Sequence, residues 1–137
     1  MTKIRCSYLG NLNCEAIHLQ SGSRIKTDAP LDHFGKGKCF SPTDLLATSL
    51  GTCLLTIMAI KAKSKGFELG DVHLNIEKLM TQNNERKIKK LIIDIFIPES
   101  TSNKTINFLK KASEDCPVLR NLSQEIDIKI SWPYKNE

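Results

Sequence analysis

The sequence predicts a domain that mixes strands and helices, and three observations support this. Short stretches near both ends of the chain alternate apolar and polar residues, as strands do. Between Asp44 and Lys61 lie sixteen consecutive uncharged residues, LLATSLGTCLLTIMAI, which favour a long buried helix. A length of 137 residues, with 40% hydrophobic and 26% charged residues, is typical of one globular domain, which we expect to span residues 1–137.

The first third of the chain predicts an antiparallel meander of three strands. Residues 3–9 alternate, with Ile4, Cys6 and Tyr8 on one side. A turn at Gly10-Asn11 leads into a second strand over residues 12–19, and residues 20–23 form the turn before a third strand at 24–27. Residues 28–39 follow as a loop, whose GKGK lacks the GxxxxGK[ST] frame of a phosphate loop.

The central helix carries its own start and stop signals. Ser41 suits the N-cap, Pro42 the first helical position, and Asp44 the acidic partner three residues after the cap. At the other end three lysines suit the negative pole of the helix dipole, and Gly66 suits a left-handed stop. The uncharged run is shorter than the ~18–20 residues of a membrane span and holds several hydroxyl side chains, so we expect a buried helix and no membrane partner.

A hairpin, a second helix and a closing strand follow. Residues 72–77 and 91–97 alternate as strands, joined by the polar loop 81–86, and His73 falls on the solvent side. Thr101 or Ser102 caps a helix to about residue 115, which Pro117 breaks. A short helix over residues 118–122 then has Cys116 at its N-cap, and residues 126–132 alternate as the closing strand.

Composition argues against several classes of partner. The net charge of +5 suggests nucleic-acid binding, but the lysines are dispersed and the chain has few aromatics to stack on bases, so we expect no nucleic-acid partner. The N-terminus, MTKIRCSYLG, lacks the apolar region of a signal peptide, so we expect a cytoplasmic protein. Five cysteines without a CxxC pair predict neither a disulfide scaffold nor a metal site.

Three of the five cysteines give no strong indication of chemistry. Cys6 and Cys14 fall on predicted strands, where a cysteine is most simply a small core residue. Cys39 lies just before the helix cap and stays undecided. Cys53 and Cys116 remain as candidates for a chemical role.

Local physics leaves open which of these two thiols attacks. Cys53, in the middle of an apolar helix, would ordinarily be packed and inert, and it lies about 16 Å from the helix start, beyond the reach of the dipole. Cys116 is the better thiolate on local grounds, because an N-cap sulfur accepts backbone N–H bonds. Glu114 and Asp115 oppose a thiolate there, and Arg120 partly offsets them.

Two motifs carry a family resemblance. FSPTDLLATSLGTCLLTIMAI and, about sixty residues later, DCPVLRNLS resemble the OsmC/Ohr family of small peroxide-resistance proteins, in its OsmC-like branch. The stretches SGSRIKTDAPLDHFGKGKCF and IDIKISWPY are similar to the family too, so the resemblance covers nearly the whole chain. It implies an α+β OsmC-like fold in which two subunits intertwine as a homodimer, with central helices in the dimer core and active sites near the interface.

The resemblance also implies thiol peroxidase chemistry on organic hydroperoxides. Cys53 would be the peroxidatic thiolate that becomes a sulfenic acid, and Cys116 the resolving thiol that condenses with it to a disulfide. The resemblance implies no cofactor, and a small dithiol or thiol-protein reductant would regenerate the pair.

The sequence departs from the family pattern at two supporting positions. The family's peroxidases carry a Glu shortly after the helix-opening proline, where this chain has Thr43 with Asp44 beside it. They also carry an Arg near the first hairpin, where no cation stands, so Arg24, Arg5 or an arginine of the partner subunit would have to substitute. Without a cation, Cys53 in an apolar pocket is a poor nucleophile. The alternative is a dimeric OsmC-fold protein that binds a small apolar molecule or redox partner and turns over peroxide poorly.

Overall fold

A computed structural model describes residues 1–133, so Tyr134 at the end of the closing motif lies outside the described residues. The described chain is α+β, and it divides into two compact units, Met1–Leu46 and the described residues from Ala47 onward. In chain order the elements are β1 (Ile4–Gly10), β2 (Asn13–His18), β3 (Arg24–Asp28), a 3-10 turn (Leu31–His33), α1 (Pro42–Ser64), β4 (His73–Met80), β5 (Ile88–Phe96), α2 (Asn103–Ser113), α3 (Pro117–Asn121) and β6 (Asp127–Ser131).

The first unit contains the predicted antiparallel meander, in the order β1-β2-β3. Its register places Cys6 opposite Ala16, and Ala16 opposite Ile25. Side chains alternate along each strand, so one face of this sheet carries six apolar side chains together with His18 and Thr27, while the other face is mostly polar. We call the former the apolar face of the first sheet; its apolar members are Ile4, Cys6, Tyr8, Cys14, Ala16 and Ile25.

Two predictions for this unit are wrong. Leu12 belongs to the β1–β2 turn and not to a strand, since its φ of 62° is left-handed. Its peptide is held there because its N–H donates to the Tyr8 hydroxyl at 3.3 Å and its C=O accepts from Ala29 N–H at 3.2 Å. Cys6 is exposed on the edge strand β1, whereas alternation suggested a core residue.

Helix α1 begins and ends as its sequence signals predict. The Ser41 hydroxyl accepts from Asp44 N–H at 3.1 Å, while the Asp44 carboxylate accepts from Ser41 N–H at 2.8 Å, which is a reciprocal capping box. The helix ends at Ser64, and Gly66 follows with φ 84°. The helix is long and apolar enough to cross a membrane, with mean hydropathy 1.7, a property that core helices of soluble proteins share.

The core of the second unit lies between α1 and a second sheet of order β4-β5-β6. The central strand β5 turns its buried side chains toward the core that α1 helps to form. Gly51 allows α1 to approach β4 closely, since a Cβ there would lie 2.5 Å from Ile76 Cδ1 and 2.9 Å from Leu74 Cδ1. The buried apolar side chains of α1 and β5 are Ala47, Leu50, Leu54, Met58, Ala62, Ile88, Leu91, Ile93 and Ile95, and the buried Ile97 directly follows β5.

The second sheet is mixed, which the sequence did not predict. Strand β4 pairs antiparallel with β5, and their hairpin extends to the pair Met80–Ile88, so both strands are longer than alternation alone indicated. Strand β6 pairs parallel with β5, so the chain between them must cross over. Helices α2 and α3 form this crossover, with Ser102 capping α2 as predicted through a 3.2 Å bond from Thr105 N–H.

Candidate active site

The second unit brings Cys53 and Cys116 together. Cys53 lies in the middle of α1 and is half-buried, while Cys116 lies at the N-cap of α3 and is fully buried. The two thiols are close enough to interact, and Cys53 packs against the core cluster that contains Cys116. Two cysteines more than sixty positions apart are therefore neighbours, and the one that solvent reaches is Cys53.

Burial decides the protonation of Cys116. Removal from solvent raises the pKa of the Cys116 thiol above its ordinary value of 9.0, and the interaction with the Cys53 thiol adds to this. The N–H groups of Leu119, at 3.4 Å from Sγ, and of Val118 oppose the rise without overcoming it. The expectation that the N-cap position makes Cys116 the better thiolate is wrong, because the desolvation of this site outweighs the N-cap bonds.

An ion pair that was not predicted from the sequence joins α1 to residues 114–116, which we call the α2–α3 junction. Lys61 Nζ lies 3.1 Å from Asp115 Oδ2, and Arg120 Nη2 lies 2.9 Å from Asp115 Oδ1. The hydrogen bond and charge of Lys61, with a smaller effect of Arg120, hold the pKa of Asp115 below its ordinary value. The positions of the two residues could have indicated this ion pair. Lys61 is eight residues after Cys53 on the same helix, and Asp115 directly precedes Cys116, so a contact between the cysteines brings the two charges near each other.

The three supporting residues named from the sequence make contacts within the first unit. Asp44 and Thr43 belong to the start of α1, where the Thr43 hydroxyl lies 3.3 Å from that of Ser41. Arg24 Nη1 forms an ion pair with Glu15 Oε1 at 3.0 Å across β2 and β3. The role of these residues in activating Cys53 stays a prediction.

The remaining candidates take no part in the cysteine pair as the structure describes it. Cys39 is exposed and Cys14 is half-buried. His73 faces solvent as predicted and stacks on Phe96, with ring centroids 4.9 Å apart. Among residues 1–133 there is no cluster of three or more His, Cys, Asp or Glu side chains suited to a metal ion.

Two cavities of about 510 and 390 Å³ open beside the first turn of α2. Both are lined by Phe67 and Thr105, and the larger one adds Lys65, Lys104 and Phe108. Neither of these two cavities is lined by Cys53, so neither supplies a pocket for a molecule that reacts there.

Comparison with known proteins agrees with this fold. The family model for OsmC-like protein matches residues 35–131. A crystal structure from Psychrobacter arcticus 273-4, described as an osmotic stress induced and detoxification response protein, is 38% identical over 97% of this chain and 96% of its own, with a TM-score of 0.89. No curated protein matches the chain.

More distant solved structures share the fold. An organic hydroperoxide resistance protein OsmC from Legionella pneumophila is 19% identical over 96% of both chains, with a TM-score of 0.73. The organic hydroperoxide resistance protein OhrB of Bacillus subtilis is 16% identical over 97% of this chain and 98% of its own, with a TM-score of 0.68. Fold and cysteine pair thus define a small α+β protein with two adjoining thiols. The chain belongs to the OsmC-like protein family.

Proposed function

We propose that the protein is a homodimeric, cytoplasmic thiol peroxidase that reduces organic hydroperoxides, with Cys53 as the peroxidatic and Cys116 as the resolving residue. The observation that carries the proposal is the contact between a solvent-reached sulfur and a buried, protonated one. A peroxide has access to Cys53 and not to Cys116, and reactive cysteines are partly accessible ones. The names of the L. pneumophila and B. subtilis structures, which refer to organic hydroperoxide resistance, support the substrate class.

The reaction balances in three steps. The Cys53 thiolate attacks the terminal peroxide oxygen and the O–O bond breaks, so Cys53 becomes a sulfenic acid. The departing alkoxide takes up a proton from solvent and leaves as the alcohol. Cys116 then attacks the oxidised sulfur, and water leaves as the Cys53–Cys116 disulfide forms. An external dithiol, as a small molecule or a thiol protein, reduces the disulfide by exchange and is itself oxidised.

The proposed dimer is supported by the apolar face of the first sheet. Ile4, Tyr8 and Ile25 on this face are 63%, 67% and 48% exposed. A contiguous exposed apolar face marks an interaction surface, and in the proposed homodimer a second copy of the chain covers it. A partner subunit would also add walls to the surroundings of Cys53, where a peroxide with an organic group must bind.

A second candidate function is a dimeric binding protein with little peroxidase activity. It is favoured by the engagement of Arg24 with Glu15 and of Asp44 with the Ser41 backbone, since both supporting groups are already paired. A Cys53 without a cation nearby reacts slowly. The two candidates differ in the rate at which Cys53 reacts with a hydroperoxide at neutral pH.

The decisive experiment mixes the reduced protein with one equivalent of cumene hydroperoxide and maps the products by non-reducing peptide mass spectrometry. The peroxidase proposal predicts a rapidly formed Cys53–Cys116 disulfide. A folded protein whose two cysteines both stay reduced would instead support the binding protein. A variant with Cys6, Cys14 and Cys39 replaced by Ser serves as the control, because any disulfide it forms within one chain must join Cys53 and Cys116.

A further inference from the structure

The α2–α3 junction contacts α1 at two points. Cys116 meets Cys53, and the residue before it, Asp115, meets Lys61 at 3.1 Å. Cys53 and Lys61 are eight residues apart on a continuous helix, which separates them by about 12 Å along its axis. Because the two contacts are far apart on α1 but adjacent on the junction, together they fix both the position and the direction of the Cys116 segment.

We propose that Lys61 and Asp115 are a positioning pair for the resolving step, holding the Cys116 sulfur in line for attack on the oxidised Cys53. The inference rests on the disulfide step of the proposed function. Neither residue touches the peroxide or the sulfurs in this proposal; both act through the placement of the junction. Disulfide formation needs an approach along a defined direction, so small displacements of the attacking sulfur reduce its rate.

The ion pair suits a positioning role better than a stabilising one. Solvent reaches both side chains, which are 42% exposed for Lys61 and 43% for Asp115, and ion pairs that solvent reaches contribute little to overall stability. Cys116 directly follows Asp115, so a change in the Asp115 contact is transmitted to the sulfur through one peptide unit.

The chain offers a matched control in Arg120. Lys61 and Arg120 both pair with Asp115, but Lys61 comes from α1 while Arg120 lies in α3, four residues after Cys116. Lys61→Met therefore breaks the ion pair between α1 and the α2–α3 junction. Arg120→Met removes only the ion pair between α3 and the junction. Both substitutions keep an unbranched apolar chain and remove one positive charge.

The test follows the exchange step without peroxide, in the background that lacks Cys6, Cys14 and Cys39. Reaction with 5,5′-dithiobis(2-nitrobenzoate) forms a mixed disulfide on Cys53. Cys116 then attacks the Cys53 sulfur, thionitrobenzoate leaves with the electron pair, and the Cys116 proton passes to solvent. Attack of Cys53 on the reagent releases a first thionitrobenzoate, so the stopped-flow absorbance of the second equivalent gives the rate of the Cys116 step. The positioning pair is thereby tested whether or not the protein turns over peroxide.

We expect Lys61→Met and Asp115→Asn to slow this release about three- to fivefold, and Arg120→Met to leave it within about twofold. The exchanged pair Lys61→Asp with Asp115→Lys should recover most of the rate, a result that a general structural role does not give. High salt should slow the wild type toward the Lys61→Met rate and leave Lys61→Met unchanged. Equal slowing in Lys61→Met and Arg120→Met, or a wild-type rate in Lys61→Met, overturns the proposal, as does release faster than mixing in every variant.

Discussion

Cys116 is buried beside Cys53, and burial holds the pKa of the Cys116 thiol above its ordinary value. Cys53 is the member of the pair that solvent reaches. This asymmetry distinguishes the two sulfurs before any oxidant arrives. It gives each proposed role a consequence that variants and titrations can test.

Replacing each cysteine by serine should give two different defects. Cys53→Ser removes the attacking sulfur and should abolish peroxide consumption. Cys116→Ser should consume about one equivalent of peroxide per chain and leave a sulfenic acid, detected by dimedone trapping and mass spectrometry. Cys6→Ser, on the edge strand of the first sheet, is the control and should retain full turnover. Equal, partial losses in both variants would contradict the division of roles.

The raised pKa of Cys116 predicts a loss of stability at alkaline pH. The folded state keeps this thiol protonated above the value of 9.0 at which it ordinarily ionises, so its contribution is complete below that pH and is lost as pH rises through the higher folded pKa. Urea unfolding of wild type and Cys116→Ala from pH 7 to pH 10 measures this. The wild type should lose its advantage over the variant as pH increases, and a difference that stays constant with pH would refute the assignment.

The lowered pKa of Asp115 predicts an ordered response to two substitutions. Lys61 is the larger cause and Arg120 the smaller, so Lys61→Met should raise the Asp115 pKa further toward 3.8 than Arg120→Met does. The stability that this carboxylate contributes is present above 3.8 and lost as pH falls through its folded pKa. Carboxyl ¹³C NMR titration of the three proteins measures the order. The reverse order would identify Arg120 as the principal partner.

The apolar face of the first sheet predicts the oligomeric state of two neighbouring variants. Ile25→Asp places a charge on this face, opposite Ala16, whereas Lys26→Asp places it on the polar face, opposite Glu15. Light scattering after size-exclusion chromatography should find Ile25→Asp monomeric and Lys26→Asp dimeric, because an uncompensated charge in an apolar interface is costly. A dimeric Ile25→Asp protein would place the interface elsewhere.

The parts of the fold that sequence predicted are those decided by neighbouring residues. The Ser41 and Asp44 capping box, the left-handed Gly66 and the Ser102 cap all act within one helical turn, so their spacing in the chain is sufficient to find them. The proline after Cys116 likewise fixed the helix break and the N-cap.

The parts that sequence missed depend on distant residues. Alternation placed Leu12 in a strand, but contacts with Tyr8 and Ala29 hold it in the turn. The local N-cap argument favoured a Cys116 thiolate, but packing against the core reversed it. Lys61 was explained by the helix dipole, and its partner Asp115 comes from an element more than fifty residues later.

Cys53 and Cys116 are far apart in the sequence, because β4, β5 and the first part of the β5–β6 crossover lie between them. A disulfide between them would close this segment into a covalent loop. The enclosed loop would contain β4, β5 and α2, about sixty residues of chain. In the chain-entropy model, a bond across a loop of that size lowers the entropy of the unfolded state and so stabilises the folded state by on the order of 4 kcal/mol. Each turnover would therefore alternate the protein between a disulfide-bonded form with a higher melting temperature and a reduced form with a lower one. The melting behaviour of a sample would then report the fraction of chains that an oxidant has converted to the disulfide.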